Sequence, residues 1–259
     1  KLHLSHTSVC VTDNDGDTAL HLSARNGHTS VVKLLVPFCT SVDKPNVHRD
    51  TPMHVCARKG HLDVVKLLFL RSRMSCRDEK GRTPLHVASK CGAVDIVTFL
   101  LPHSLANIPD FRKETCLRLS VVKGKLNVLR CLIPHALVTC RDREGKSPVQ
   151  YAASHLFRDT AHHTILYTIL PYSSDYDVRN LVLFYNSFSE EYSREQAFCV
   201  KLIVLRSDTY TKHERCSSVL CSFESGGCDS MGRRDRTYKN YLKLLLPHCS
   251  HYHHCVDAI

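Results

Sequence analysis

The sequence predicts an all-α solenoid of helix–turn–helix units, and three features held in register along the chain predict it. The first is a tetrapeptide, Thr18-Ala-Leu-His21, that returns as Thr51-Pro-Met-His54, Thr83-Pro-Leu-His86 and Thr115-Cys-Leu-Arg118, with Ser147-Pro-Val-Gln150 in step behind them. Its first residues are spaced by 33, 32, 32 and 32 positions. The second is a glycine nine positions after each of the first four anchors: Gly27, Gly60, Gly92 and Gly124. The third is an apolar cluster, Val31-Val32-x-Leu34-Leu35, repeated as Val64-Val65-x-Leu67-Leu68, Ile96-Val97-x-Phe99-Leu100 and Val128-Leu129-x-Cys131-Leu132. A fixed period near thirty residues marks a stack of supersecondary units, each too small to bury its own apolar face.

Each piece of the unit has a physical job. Threonine supplies an oxygen for the unpaired N–H groups of a helix start, and proline suits the first helical position. Small residues follow (Ser23-Ala24, Cys56-Ala57, Ala88-Ser89), so this first helix can approach neighbours closely on both flanks. Glycine ends it, because a left-handed cap costs glycine nothing sterically. The second cluster, spaced i, i+1, i+3, i+4, makes one face of a second helix. Pro37, Pro102, Pro134, Pro171 and Pro247 mark where that helix stops. Asp13-Asn-Asp-Gly16, Asp78-Glu-Lys-Gly81 and Asp142-Arg-Glu-Gly145 are polar turns leading to the next anchor.

These units resemble ankyrin repeats. The resemblance is carried by the Thr-Pro-Leu-His tetrapeptides, the Gly-His pairs Gly27-His28 and Gly60-His61, and the Val-Val-Lys-Leu-Leu helices, and it covers about residues 10–171. It implies a solenoid of paired helices with hairpin connections. It also implies that His21, His54 and His86 hydrogen-bond backbone between adjacent turns; stacked units hold them too far apart to share a metal ion. Departures are visible: Pro-His replaces the usual Gly-Ala after the second helix at Pro102-His103 and Pro134-His135. Arg49 and Lys113 stand where a hairpin glycine belongs, so irregular hairpin tips are expected there.

Residues 1–171 therefore read as about five recognisable units. Residues 172–259 read as degenerate repeats with insertions, in which Val200–Leu205 and Tyr241–Pro247 look like second helices and 216–236 like a long loop. The fifth unit carries about five extra residues, expected around Phe157–His163. The chain begins and ends mid-unit, as a piece cut from a longer array does.

Composition sets limits. Hydrophobic residues make up 43% and charged residues 23% of 259, enough apolar surface for a core, and no run of eighteen apolar residues is present. Wholesale disorder and a helical membrane span are excluded at this level. The formal charge of +10 favours an acidic partner. The 14 cysteines are mostly scattered singly, at places where alanine or leucine serves as well, which fits small buried hydrophobes in a reduced, cytoplasmic (or nuclear) protein.

Three constellations could carry chemistry. Cys216, Cys221 and Cys228 with the run His248–Cys255 offer zinc-ligand types, but their spacing matches no common pairing. The segment Leu205–His213 offers only Lys212 toward a phosphate-binding loop and lacks its glycines. No catalytic or cofactor-binding residue is assigned, no cofactor is expected, and the chain reads as a non-enzyme. The third is a column of cations made by the repeat: Arg25, Arg58 and Lys90, flanked by Lys59 and Lys123, stacked about 10 Å apart toward the concave side. The hairpin tips add His48, Arg49, Lys80, Arg82, Arg112, Lys113, Arg143 and Lys146. No aromatic anchor is expected to interleave with them. The expected function is a non-catalytic scaffold or adaptor that takes a protein partner, acidic where it touches, on the concave face and tips. A basic nucleic-acid binder with a C-terminal zinc site, or a nucleotide-binding C-terminal module, is the alternative.

Overall fold

The computed structural model describes residues 9–155, 160–174, 176, 177 and 181. The chain divides into two compact units, Lys1–Tyr151 and Ala152–Ile259. The Cys216–Cys228 and His248–Cys255 clusters, Lys212 and both degenerate repeats beyond 181 lie outside the described residues, as does Phe157.

Helices come in pairs at the spacing the repeat dictates: α1 Ala19–Arg25 and α2 Thr29–Leu35, α3 Pro52–Lys59 and α4 Leu62–Phe69, α5 Pro84–Cys91 and α6 Val94–Leu100, α7 Cys116–Val122 and α8 Leu126–Leu132. A fifth pair follows, α9 Pro148–Ser154 and α10 Thr160–Ile169. No strand occurs among the described residues; Thr12 and Thr18 form one isolated antiparallel bridge.

Within the first unit, α1, α3, α5 and α7 stack in a row, and each also packs on its own second helix. The second helices form a parallel outer row. The layers follow from side-chain size. Ala24, Ala57 and Ala88 on the first helices are wholly buried, as are the larger Leu20, Met53, Leu85 and Leu117. The outer row buries one face only: Val32 and Leu35, then Val65 and Leu68, Val97 and Leu100, Leu129 and Leu132. Val64, Ile96 and Val128 are buried too, whereas Val31 in the first pair is 43% exposed. No earlier second helix covers it among the described residues.

The anchors cap as their chemistry requires. Thr18, Thr51 and Thr83 accept the backbone N–H three residues on, while the histidine there accepts the threonine N–H in return. This is a reciprocal capping box with histidine in the usual Glu/Gln place. Gly60 and Gly92 cap their helices at φ of 84° and 86°. The prolines stop the second helices indirectly. Each α-helix ends at Leu35, Leu100 or Leu132, and Pro37, Pro102 or Pro134 sits second in a single 3-10 turn, where its missing N–H is not needed.

Hairpins stack beside the first helices. Asp13, Asn46, Asp78, Asp110 and Asp142 each use one side-chain oxygen to accept two backbone N–H groups, two and four residues ahead. One backbone bond then joins each tip to the one before: Val47 to Asp15, Glu79 to His48, Phe111 to Lys80 and Arg143 to Arg112. The irregular tips expected at Arg49 and Lys113 are not found. Both residues take the left-handed conformation, at φ of 59° and 60°, and keep the same turn bonds that the glycine tips make. The turn's network overrides the side chain's preference at those two positions.

In the second unit, α10 is 10 residues long where α2, α6 and α8 have 7. It starts inside the stretch expected to hold the insertion. Ile165, Leu166 and Ile169 are fully buried, and a 3-10 turn over Leu170–Tyr172 follows. Among the described residues no helix is long and apolar enough to cross a membrane.

Candidate interaction surface

The tetrapeptide histidines hold successive repeats together. Nδ1 of His21, His54 and His86 accepts the N–H of its own cap threonine at 3.1, 3.2 and 3.2 Å. With Nδ1 as acceptor, Nε2 must carry the proton. It donates to Asp50 O at 3.0 Å, Arg82 O at 2.9 Å and Ile108 O at 2.8 Å, all in the following repeat's hairpin segment. Burial lowers the pKa of all three rings, that of His86 to about 4, so each stays neutral. The expectation that these are structural rather than metal-binding fits this geometry. Groups able to hold a metal ion are absent among the described residues.

At the same position the fourth unit has Arg118, which cannot accept. It is buried, meets Glu114 at 3.7 Å, bonds Asp142, and lies 4.8 Å from the centre of the Tyr151 ring. Gln150 in the fifth unit restores the acceptor: Ser147 N–H donates to its Oε1 at 2.9 Å.

The cation column divides once partners are considered. Arg25 bonds Asp17, and Arg58 grips Asp50 with two bonds of 2.7 and 2.8 Å, which raises its pKa. Both acids are buried at hairpin roots. These two arginines therefore brace helix to hairpin within one repeat, and only about 40% of each side chain faces solvent. Arg82 departs further from its expected place at a tip. It is buried, 3.1 Å from Asp110 and 3.4 Å from Glu114, and so ties the third unit to the fourth. The signal for the bracing pairs was an Asp eight residues before an Arg, present in the first two units and broken in the third by Arg82.

Lys90 is different. It occupies the place of Arg25 and Arg58, but the residue eight before it is Arg82, not Asp. It makes no ion pair among the described residues. Its pKa is lowered by partial burial first, then by Arg82, Lys123 and Lys80. Lys59 and Lys123 are exposed on neighbouring first helices or their ends, and His48, Arg49, Lys80, Arg112, Lys113, Arg143 and Lys146 are exposed on the tips. Some tip cations meet exposed acids: His48 and Lys80 lie 3.5 Å from Glu79, and Lys146 lies 3.0 Å from Glu144. Asp50, Asp78 and Asp110 are buried instead, as hairpin acceptors or partners of arginine. Folding thus hides these carboxylates, while Asp13, Asp15, Glu79 and Glu144 stay exposed among the tip cations.

Against the expectation of no interleaved aromatic, one stands among these tips. Phe111 stands on the fourth tip between Lys80 and Arg112, 48% exposed, with its N–H bonded to Lys80 O at 3.0 Å. Its ring lies so close over Gly81 that a Cβ there would sit 2.5 Å from the ring. The position varies too much among repeats (Asn14, Val47, Glu79, Phe111, Arg143) for periodicity to mark it.

Capped helix pairs, a histidine ladder between them and a stacked row of hairpins define a helical repeat array. A family model described as ankyrin repeats (3 copies) matches residues 1–78 and 49–110. Over residues 1–110 the chain therefore carries ankyrin repeats. No curated protein matches the chain. Ankyrin repeats are in general protein–protein interaction modules and typically non-catalytic.

Proposed function

We propose that the chain is a non-catalytic scaffold or adaptor segment of a cytoplasmic protein, and that it takes a partner with an acidic surface on its concave face and hairpin tips. The observation that carries this reading is the ladder of His–carbonyl and tip-to-tip bonds. A surface already ordered before contact loses little conformational entropy on binding, so modest contacts suffice for affinity. The exposed Lys59 and Lys123 and the half-buried Lys90 along the first helices, with Arg49, Arg112, Lys113 and Arg143 on the tips, favour an acidic partner and speed its approach. Cys39, Cys56 and Cys116 are buried packing residues in separate repeats, with the thiols of Cys56 and Cys116 pushed up to about 12 by burial. Such unreactive thiols suit a reducing compartment.

The test is to crosslink a partner to the whole chain, identify it, and titrate the purified pair. Lys59→Glu, Lys90→Glu and Lys123→Glu together should weaken binding by about ten-fold or more with the melting temperature unchanged. Arg58 does not belong in that set, because a glutamate there would face Asp50 and lower stability by itself. Unchanged affinity removes the cation column from the reading. Partner capture lost on nuclease treatment, or zinc or nucleotide bound stoichiometrically, replaces the adaptor reading with the nucleic-acid or nucleotide alternative.

A further inference from the structure

The positive face is not uniform, and its unevenness locates a site. In the first two repeats each helix cation is answered by a buried aspartate eight residues earlier, Asp17 for Arg25 and Asp50 for Arg58. In the third repeat both places are basic, Arg82 and Lys90. Acids of the following hairpins are already engaged: Asp110 and Glu114 with Arg82, Glu114 and Asp142 with Arg118. Among the described residues Lys90 is therefore left without an ion-pair partner, in a half-buried place where Lys80, Arg82 and Lys123 add to the potential. Lys80 has only Glu79 beside it, at 3.5 Å, and both side chains are about half open to solvent. Such a surface pair exchanges readily for a better partner.

Next to these cations stands the one feature that charge alone does not explain. Phe111 follows the repeat's acidic Asp110, at a tip position where neighbouring units have Glu79 and Arg143, yet it is about half exposed. The ring lies close against Gly81, and the backbone N–H of Phe111 bonds Lys80 O. A half-exposed aromatic residue bordered by cations is the arrangement of an anchoring point at an interface, where a partner's apolar group excludes water from the surrounding polar contacts.

We propose that the face formed by Lys80, Lys90, Lys123 and Phe111, across the third and fourth repeats, docks an extended acidic segment of a partner protein that carries one aromatic or long aliphatic residue. The segment's carboxylates pair with Lys90, and its apolar residue lies on the Phe111 ring. This rests on the adaptor reading above and narrows it to one face and one kind of segment.

The experiment uses the whole chain and two labelled peptides: a run of glutamates around a central phenylalanine, and the same run with serine at the centre. Binding is followed by fluorescence anisotropy. The phenylalanine peptide should bind the more tightly. Lys80→Glu with Lys90→Glu and Lys123→Glu should weaken it by about ten-fold or more, whereas Lys33→Glu with Lys66→Glu and Arg130→Glu, an equal charge change on the outer helices, should leave it within about two-fold. Phe111→Ser should abolish the preference for the phenylalanine peptide while the serine peptide is unaffected, and far-UV circular dichroism confirms folding of each variant. Equal loss in both charge triples makes the attraction one of net charge and overturns the site. No preference between peptides, or one that survives Phe111→Ser, overturns the anchor. Duplex DNA that competes the peptide off at lower concentration than an acidic protein surface does assigns the face to nucleic acid and overturns the proposal. A crosslinked partner whose binding ignores all these variants sinks this site and leaves the adaptor reading standing; failure to find any protein partner sinks that reading instead.

Discussion

At the scale of single residues, the tetrapeptide histidine does two jobs that a protonated imidazole cannot perform together: Nδ1 accepts within the cap while Nε2–H donates to the next repeat. Protonation removes the acceptor, so these rings make stability depend on pH, and the direction follows from the lowered pKa. For His86 the folded value is about 4 against 6.5 in the unfolded chain. Between those values the unfolded chain binds a proton that the folded one refuses. Stability is therefore full above about pH 6.5, falls as pH drops toward 4, and levels off below. The loss from this one ring is roughly 3 kcal/mol, and His21 and His54 act in the same direction. Thermal unfolding from pH 7.5 to 4.5 should show the decline, with a shallower slope in His86→Gln; an unchanged slope would deny His86 its part. Glutamine is the fitting replacement because Gln150 already fills the cap in the fifth unit. Two glycines separate backbone strain from crowding. Gly60 has φ of +84° with open space where a Cβ would go, so Gly60→Ala should cost about 1 kcal/mol through conformation alone. At Gly27 the added carbon would meet the His61 ring at 2.7 Å, a ring that donates to Arg25 O. Gly27→Ala should therefore cost more than Gly60→Ala in urea unfolding, and equal costs would mean that the ring moves aside freely.

At the scale of elements, the hairpin shows how a shared template tolerates unsuitable residues. Arg49 and Lys113 are held at positive φ by turn bonds and by Asn46 or Asp110, which accept from both sides of the tip. That conformation costs an L-residue about 1–2 kcal/mol, part of which glycine recovers after its own entropy loss. Arg49→Gly and Lys113→Gly should each stabilise by about 0.5 kcal/mol and raise the melting temperature by a degree or more. A fall would place the cost elsewhere. The elements were legible in the sequence because their signals are local and periodic: threonine before the helix, glycine after it, proline just beyond the second helix. The positive φ at Arg49 was not, because it is imposed by bonds that any backbone makes. The partners of the cations were legible only in part. Asp17–Arg25 and Asp50–Arg58 lie eight residues apart and recur, whereas Arg82–Asp110 and Arg118–Asp142 join different repeats and appear only once the stack is built. A column of arginines and lysines thus looked like one surface, and folding sorted it into braces and free charges. Phe111 was hidden for the opposite reason: it breaks the period instead of following it.

At the scale of the first unit, residues in contact are close in sequence or one repeat apart, so each repeat is stabilised by its two neighbours and little else. A defect should then spread by position rather than by distance from any single core. Leu85 and Leu20 occupy equivalent places in α5 and α1, 1% and 2% exposed, and each truncation to alanine should remove about 3 kcal/mol of local packing. Leu85 lies in an interior repeat whose α5 packs against both α3 and α7, whereas α1 has α3 as its only neighbouring first helix among the described residues. Leu85→Ala should therefore speed amide exchange in α3, α5 and α7 together, and Leu20→Ala mainly in α1 and α3. The same argument connects packing to recognition, since Lys90 stands on α5 and Phe111 on the hairpin leading to α7. An acidic peptide seated across those two repeats adds a bond between neighbours, so it should slow exchange in α5 and α7 while leaving α1 unchanged. Slowing spread evenly over α1, α3, α5 and α7 would mean that the array responds as one cooperative body, and the nearest-neighbour account of both its stability and its binding face would fail.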